Sequence, residues 1–404
     1  MQIFIALVLA IVVGLLIQPY ADFAESYIKP FGTIFLNLVK FIVVPIVLFS
    51  IMCGIISMSD IRKVGSIGLK TVVYYLCTTA FAITFGLIAG NVFKRMFPVI
   101  ATTDLSYEMS SEGTSFMDTI VNIFPSNFVS PMVESNMLQV IVMAVLLGFA
   151  IIMMGERKNA RLVTVFNDLN EMFMNCMELI LKLSPIGVFC LLCPVIASNG
   201  AMIIGSLAMV LLAAYLCYII HGVVVYSLAV KTMGGMSPVE FFKGMIPAIL
   251  FAFSSSSSVG TLPINMECVN KMGVSKEVSS FVLPLGATIN MDGTAIYQGV
   301  CAIFIASCYG INLTFSQMLT IVLTATLASI GTAGVPGSGM VMLAMVLTSV
   351  GLPVDGIALV AGVDRIFDMG RTTVNITGDA SCCMVVSNLE RKREERLARK
   401  GIVK

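Results

Sequence analysis

Polar side chains recur at regular intervals in the last apolar segment of the chain. They are spaced by four, three, four and four residues, at Asp364, Asp368, Arg371, Asn375 and Asp379. This spacing places them on one face of a helix. Charged groups are costly in apolar surroundings, so the stripe indicates internal partners or a water-filled cavity. The alternative is a structural ion pair, for instance Asp368 with Arg371, although the stripe is too long for a single pair.

A second polar patch interrupts an earlier apolar segment, in the sequence GATINMDGTAIYQ. It concentrates carbonyl, amide, hydroxyl and carboxylate oxygens at Gly286, Thr288, Asn290, Asp292 and Thr294. Oxygen ligands with one or two carboxylates suit a hard cation such as sodium. The alternative is a hydrogen-bonded break in a helix that binds no ion.

Two further patches, SSSSSVGTLP and ASIGTAGVPGSGM, divide the apolar runs 238–265 and 315–350. Irregular backbone at membrane depth is tolerated only where protein or a water-filled cavity satisfies its polar groups. Both ends of the first run adjoin basic loops, whereas the second run enters from the opposite side. Interrupted segments that approach from opposite faces are typical of an inverted-repeat secondary transporter with its site near the midplane.

The composition explains which elements must position these patches. The chain of 404 residues is 58% hydrophobic and 12% charged, and its mean hydropathy is +0.97. These values predict an all-α polytopic membrane protein. Apolar segments are predicted at 1–18, 33–58, 71–93, 137–154, 162–196, 202–230, 238–265, 279–308, 315–350 and 354–388. The basic loops should face the cytoplasm, as should the basic tail 391–404.

Several other classes of protein fit poorly. The net charge of +1 and the absence of a basic stripe argue against nucleic-acid binding. The 11 scattered cysteines and single histidine, His221, favour packing over a metal centre. An intramembrane aspartyl protease could use Asp292 and Asp379, but TGDA lacks the expected leading glycine. A serine hydrolase lacks an evident base, and a passive channel could not accumulate a substrate. We therefore predict that the protein is not an enzyme and that it uses no organic cofactor.

Taken together, the serine-rich tip, NMDGTAIYQ, GTAGVPGSG and DMGRTTVNITGD resemble the glutamate transporter family of sodium- or proton-coupled dicarboxylate and amino acid symporters. The resemblance covers essentially the whole chain. It implies eight transmembrane helices plus two re-entrant hairpins, near 238–265 and 315–350, in a homotrimer within the cytoplasmic membrane. It also implies a scaffold mainly from 1–58 and 135–230. A transport domain mainly from 66–95 and 237–390 would move as an elevator, with the second hairpin as outer gate.

The resemblance implies a substrate site on the polar stripe. Asp368 would bind the substrate ammonium, and Asn375 with Thr294 would hold its α-carboxylate. Arg371 would take the side-chain carboxylate through its planar fork, which suits bidentate recognition. The remaining implied substrate contacts are Ser257, Ser258, Val335, Gly339 and Thr372.

Three sodium sites are implied in the same way. The first comprises Gly286, Asn290, Asn375 and Asp379, and the second comprises Tyr75, Thr78, Thr79, Asn290 and Asp292. The third comprises Thr288, Ser329, Ile330 and Thr332, and Met291 would lie between substrate and ions. Without the resemblance, Tyr75, Thr78 and Thr79 would be interpreted as ordinary packing residues.

Departures from the family pattern refine the prediction. A second arginine, common in the serine-rich tip or directly after the aspartate of DMGRT, is replaced by serines and by Met369. Arg365 is the nearest substitute, but it lies off the polar face. Gln298 stands where the potassium-exporting branch has a proton-carrying glutamate, and Val259 replaces a commonly polar residue. We predict sodium-coupled uptake of aspartate or glutamate without potassium export. Cystine, small neutral amino acids or proton coupling are the alternatives.

Overall fold

The computed structural model describes residues 2–57, 66–97, 121, 124–134, 136–200, 202–329 and 337–399. Within these ranges the regular structure is helical and no strand forms, which confirms the all-α prediction. The longer helices of the first half are α1 Gln2–Leu16, α2 Lys29–Ser57, α3 Ser66–Phe93, α4 Met137–Met153, α5 Glu156–Lys182, α6 Ser184–Asn199 and α7 Met202–Ile220. Those of the second half are α8 Pro238–Ser255, α9 Ser258–Lys271, α10 Lys276–Ile289, α11 Asp292–Cys308, α12 Phe315–Ala328, α13 Ser338–Ser349 and α14 Asp364–Arg399.

Three stretches of the described residues are long and apolar enough to cross a bilayer: Ser66–Met96, Gly205–Gly234 and Lys276–Cys308. Two bent pairs, Val8–Leu16 with Gln18–Phe35 and Ala160–Ile180 with Pro185–Ser198, would raise the number to five. The predicted segment 162–196 falls on the second pair, in which the chain bends by 51° between the two helices. Pro185 lies in the first turn of α6, where a missing N–H costs no helical hydrogen bond.

The two serine- and glycine-rich patches both divide helical hairpins. Helices α8 and α9 run antiparallel, since Gly244 in α8 lies against Met272, just beyond the end of α9. Helices α12 and α13 also run antiparallel, because the side-chain amide of Gln317 donates a 3.2 Å hydrogen bond to the carbonyl of Val350. Residues 330–336 of the second tip lie outside the described residues.

The serines at the first tip satisfy its backbone. Ser256 adopts a left-handed conformation with φ of 55° and ends α8. The hydroxyl of Ser257 then accepts a 3.0 Å hydrogen bond from the N–H of Gly260 and caps the start of α9. Such a cap satisfies an N–H that has no partner within the helix.

The stretch Lys276–Cys308 is broken at its centre. Asn290 has an extended backbone, with φ of −87° and ψ of 100°, so α10 ends there and α11 begins two residues later. Glycines bring α11 close to α3, since a Cβ on Gly86 would lie 2.7 Å from the carbonyl oxygen of Ile296. This close packing brings one face of α3 against the broken segment.

The helices form two groups. Helices α1, α2, α4, α5 and α6 pack on one another, whereas α3, α8 to α11 and α14 surround the polar stripe. Helix α7 packs mainly on α3, α11 and α14. The hydroxyl of Tyr215 in α7 donates a 2.6 Å hydrogen bond to the carbonyl of Ile366. By its contacts α7 thus joins the helices that carry the polar residues.

Candidate functional site

Both hairpin tips meet the first turns of α14. The N–H of Gly337, at the second tip, donates a 3.0 Å hydrogen bond to Oδ2 of Asp368. On the other side, Arg365 lies 3.3 Å from the carbonyl of Ser255 and 3.4 Å from that of Ser254, at the end of α8. The polar face of α14 therefore lies where the two hairpins converge.

Arg371 is buried, with 2% of its surface exposed, and it is paired on two sides. Its Nε donates to Oδ1 of Asp368 at 2.8 Å, and its Nη1 donates to Oδ1 of Asp364 at 3.0 Å. The guanidinium carbon lies 4.9 Å from the ring centre of Tyr297. Gly339 is so close that a Cβ there would overlap Nη1 of Arg371. The ion pair considered as the structural alternative is therefore present, and a further carboxylate at Arg371 would compete with Asp364 and Asp368.

Asn375 connects the middle of α14 to the start of α11. Its Oδ1 accepts a 2.8 Å hydrogen bond from the N–H of Gly293. Its Nδ2 lies 3.4 Å from the hydroxyl of Thr294 and 3.3 Å from the sulfur of Met291. The structure thus brings Asn375 to Met291 and Thr294, two other predicted site residues, which lie 84 and 81 positions earlier in the sequence.

Asp379 and Asn290 form a buried cluster of oxygens. Nδ2 of Asn290 donates to Oδ1 of Asp379 at 2.9 Å and to the carbonyl of Asn375 at 3.0 Å. Because both neighbours of Nδ2 are acceptors, Oδ1 of Asn290 faces away, and it has no hydrogen-bond partner among the described residues. A Cβ on Gly286 would lie 2.5 Å from both Oδ1 of Asp379 and the hydroxyl of Tyr75. A buried acceptor without a donor, beside a carboxylate, is an environment that suits a cation.

Asp292 is completely buried and accepts hydrogen bonds on both oxygens. Thr79 donates to Oδ1 at 2.7 Å and Thr78 at 3.2 Å. On the other oxygen, Oδ2, Tyr226 donates at 2.8 Å and Nε2 of His221 lies at 3.4 Å. The structure therefore gathers Asp292 with the two threonines that the resemblance assigned to the second sodium site.

His221 and Tyr226 were not predicted as site residues. Both are completely buried, and His221 matches the sequence interpretation as a core residue to that extent. The segment His221–Tyr226 forms wider helical turns in which residues five apart share a face. A period of 3.6 would separate these two positions, so the sequence pattern did not indicate that both face Asp292.

The predicted third sodium site is described only in part. The hydroxyl of Thr288 donates to the carbonyl of Leu285 at 3.0 Å, within its own helix. The hydroxyl of Ser329 likewise donates to the carbonyl of Thr326 at 2.7 Å. Ile330, Thr332 and the predicted substrate contact Val335 lie outside the described residues.

The remaining predicted substrate residues lie at the first tip and on α14. Ser258 and Thr372 are both buried, and the hydroxyl of Ser257 caps α9. Val259 is 49% exposed and therefore points away from the buried cluster. Gln298 is buried in α11.

Comparisons with known proteins extend these observations. The sequence model of the sodium:dicarboxylate symporter family matches residues 1–389. The chain is 36% identical to the proton/sodium-glutamate symport protein of Bacillus subtilis, over 96% of this chain and 92% of that protein. It is 34% identical to the proton/glutamate-aspartate symporter of Escherichia coli, over 98% and 94%. It is 33% identical to the C4-dicarboxylate transport protein 1 of Ralstonia nicotianae, also over 98% and 94%.

Proposed function

The chain belongs to the sodium:dicarboxylate symporter family, and from this premise we propose that it is a secondary active symporter that couples sodium entry to uptake of L-aspartate or L-glutamate. Membership makes it a multi-pass membrane transporter and not an enzyme. At a coarser level, cation-coupled symport of glutamate, aspartate or a C4-dicarboxylate agrees with the names of its relatives.

The substrate assignment depends on one observation, the buried pair of Asp368 and Arg371 joined at 2.8 Å. An acidic amino acid carries an ammonium that suits Asp368 and a side-chain carboxylate that suits the fork of Arg371. Binding would exchange one internal ion pair for two pairs with the substrate, so no charge would be left buried without a partner. Asn375 and Thr294 would hold the α-carboxylate, with the main chain around Ser258.

Two buried carboxylates support coupling to a cation. Among the described residues, no Lys or Arg side chain forms an ion pair with Asp292 or Asp379. Buried carboxylates are normally paired or bound to metal ions. The partnerless Oδ1 of Asn290 and the hydroxyls of Thr78 and Thr79 add the neutral oxygen ligands that sodium prefers. Sodium would be co-transported cargo of the protein.

The proposal includes the family's architecture. Eight helices would cross the membrane, and the hairpins α8–α9 and α12–α13 would be re-entrant, in a homotrimer surrounded by membrane lipid. The helices that surround the polar stripe would move as one elevator unit against α1, α2, α4, α5 and α6. We assign α7 and the segment His221–Tyr226 that follows it to the moving unit, because Tyr226 and His221 contact Asp292 at 2.8 and 3.4 Å.

Transport of a C4-dicarboxylate without an amine is the second candidate. The present contacts of Asp368 favour it, because this carboxylate already accepts hydrogen bonds from Arg371 and from the N–H of Gly337. A ligand without an ammonium could leave Asp368 in these contacts.

Calorimetric titration of the purified protein separates the candidates. L-aspartate, L-glutamate, succinate, L-serine and L-cystine would each be titrated in sodium chloride and in choline chloride. Binding of aspartate or glutamate in sodium only is the expected result. Tighter binding of succinate than of either amino acid would overturn the proposed substrate, and equal binding in choline would overturn sodium coupling.

A further inference from the structure

Arg365 is a cation that the proposed substrate and ion sites do not use. It lies in the first turn of α14, directly after Asp364, and 40% of its side chain is exposed. Its Nη2 points to the carbonyls of Ser255 and Ser254 at 3.3 and 3.4 Å. Its Nη1 lies 3.9 Å from Oδ2 of Asp368. The Arg365 side chain thus contacts both the first hairpin tip and the carboxylate of Asp368.

The carbonyls that Arg365 contacts need partners. Helix α8 ends at Ser255, and the last four carbonyls of a helix have no partner within it. Among the described residues, only the carbonyl of Ala252 receives a backbone hydrogen bond at this end, from the N–H of Ser256 at 2.8 Å. A helix C-terminus also carries partial negative charge, so a cation is stabilising there. The guanidinium can donate to both carbonyls through Nη2 while Nη1 faces Asp368, and the single nitrogen of a lysine ammonium could not reach all three groups as well.

The second contact of Arg365, with Asp368, links it to the proposed substrate site. Oδ2 of Asp368, which lies near Arg365, also accepts from the N–H of Gly337 at the second tip. Asp364 and Asp368 together carry two negative charges, and Arg371 supplies one positive charge. Arg365 supplies the other, so the group of four side chains is neutral overall. A neutral group is favoured where surrounding protein lowers the local dielectric.

We propose that Arg365 is a positioning residue. Its contacts with the carbonyls of Ser254 and Ser255, here called the latch, hold the first hairpin tip against α14 beside Asp368. The latch fixes the main chain around Ser257 and Ser258, which the proposed function assigns to the substrate α-carboxylate. Its effect on transport therefore rests on the proposed function, whereas its effect on the order of the tip does not.

Hydrogen exchange of the protein in lipid nanodiscs tests the latch directly. The reporter is the peptide that covers 253–261, whose amides include that of Gly260, held by Ser257. Loss of the latch in Arg365→Gln should accelerate exchange there about fivefold to tenfold, and Arg365→Lys should give a smaller change. Arg396→Gln is the matched control, since Arg396 is an exposed arginine in the tail of the same helix. Unchanged exchange at the tip in Arg365→Gln would overturn the proposal.

Uptake kinetics add a readout that loss of folded protein would not reproduce. In Arg365→Gln we expect the KM for the acidic amino acid to rise about tenfold while Vmax per folded protein stays within about twofold. Arg365→Lys should recover part of the KM. A fall in Vmax with unchanged KM would contradict the positioning role.

If Arg365→Gln does not fold, the exchange test is decided by Arg365→Lys, whose tip must still exchange faster than that of the unsubstituted protein.

The two proposals fail in different ways. If the unsubstituted protein takes up no acidic amino acid but the tip of Arg365→Gln exchanges faster, the latch stands and the proposed substrate is wrong. If uptake occurs but exchange does not change, the proposed function stands and the latch is wrong.

Discussion

Arg371 and Asp368 lie three residues apart on α14 and are joined by a hydrogen bond of 2.8 Å between Nε and Oδ1. Each charged group of the proposed substrate site is therefore the present partner of the other. A ligand with both an ammonium and an extra carboxylate can replace both halves of this pair. A neutral amino acid would separate the pair without supplying a carboxylate for Arg371, so the relationship favours an acidic substrate.

Replacing Arg371 should change the substrate preference. In Arg371→Cys we expect loss of aspartate binding by about 100-fold or more, and a gain of serine, alanine or cysteine binding, because the bidentate partner of the side-chain carboxylate is gone. Arg371→Lys is the control for charge, and it should retain aspartate only weakly since it lacks the planar fork. Competition against labelled aspartate measures both effects. Unchanged aspartate affinity in Arg371→Cys would show that another group binds the carboxylate.

Tyr226→Phe should weaken sodium coupling. The substitution removes the 2.8 Å donor to Oδ2 of Asp292, so this carboxylate is held less firmly towards Thr78 and Thr79. A hydrogen bond to a charged group is worth roughly 1.5 to 3 kcal/mol in full. Thr78 and Thr79 still hold Asp292 in the variant, so we expect a smaller effect, about a threefold to tenfold higher half-saturating sodium concentration. The KM for aspartate at saturating sodium should change little.

The matched control for this test is Tyr27→Phe, because Tyr27 is 65% exposed and its ring stacks on Phe23. The same sodium dependence in Tyr226→Phe and in the unsubstituted protein would remove Tyr226 from the ion site.

Gly339→Ala should impair substrate binding through Arg371. A Cβ at position 339 would overlap Nη1 of Arg371, which Asp364 holds at 3.0 Å. Either the guanidinium or the start of α13 must move, and overpacking of this kind typically costs about 1 to 3 kcal/mol. We expect the KM for aspartate to rise about tenfold. Gly205→Ala is the control, since no atom of the described residues lies within 4 Å of a Cβ there. Equal KM values in the two variants would contradict the close contact.

Uptake should not require internal potassium. Gln298 is buried in α11 and cannot carry a proton, and the arginine expected of the potassium-exporting branch is replaced by Met369. Replacing internal potassium by choline should therefore leave net sodium-driven uptake unchanged. A requirement for internal potassium would disprove this prediction.

Much of the helical framework could be predicted from the sequence. The apolar segments gave the positions of most helices, and polar patches marked the breaks at Ser256 and Asn290. The bend within the 162–196 segment was not predicted, because its apolar residues continue through the bend and Pro185 marks the first turn of the second helix. Membership of the family, which the motifs predicted, is confirmed by the match over residues 1–389.

The site could be predicted less completely. The spacing on α14 predicted a shared face, but not that Arg371 would pair with Asp364 as well as Asp368. Periodicity alone would have left Thr78 and Thr79 as packing residues, because their partner Asp292 lies more than 200 positions away. Tyr226 was missed since the widened turns place it beside Asp292 out of step with a regular helix. Contacts of this kind depend on tertiary packing and leave no local pattern.

Uptake of labelled L-aspartate into proteoliposomes under an inward sodium gradient tests the central claim most directly. Competition by L-glutamate, L-serine, L-cystine and succinate would be measured in the same preparation. We predict accumulation above equilibrium that stops when sodium is replaced by choline and that glutamate inhibits more strongly than the other three. Accumulation of succinate, serine or cystine in place of aspartate, or uptake of aspartate that does not depend on sodium, would contradict the proposed function.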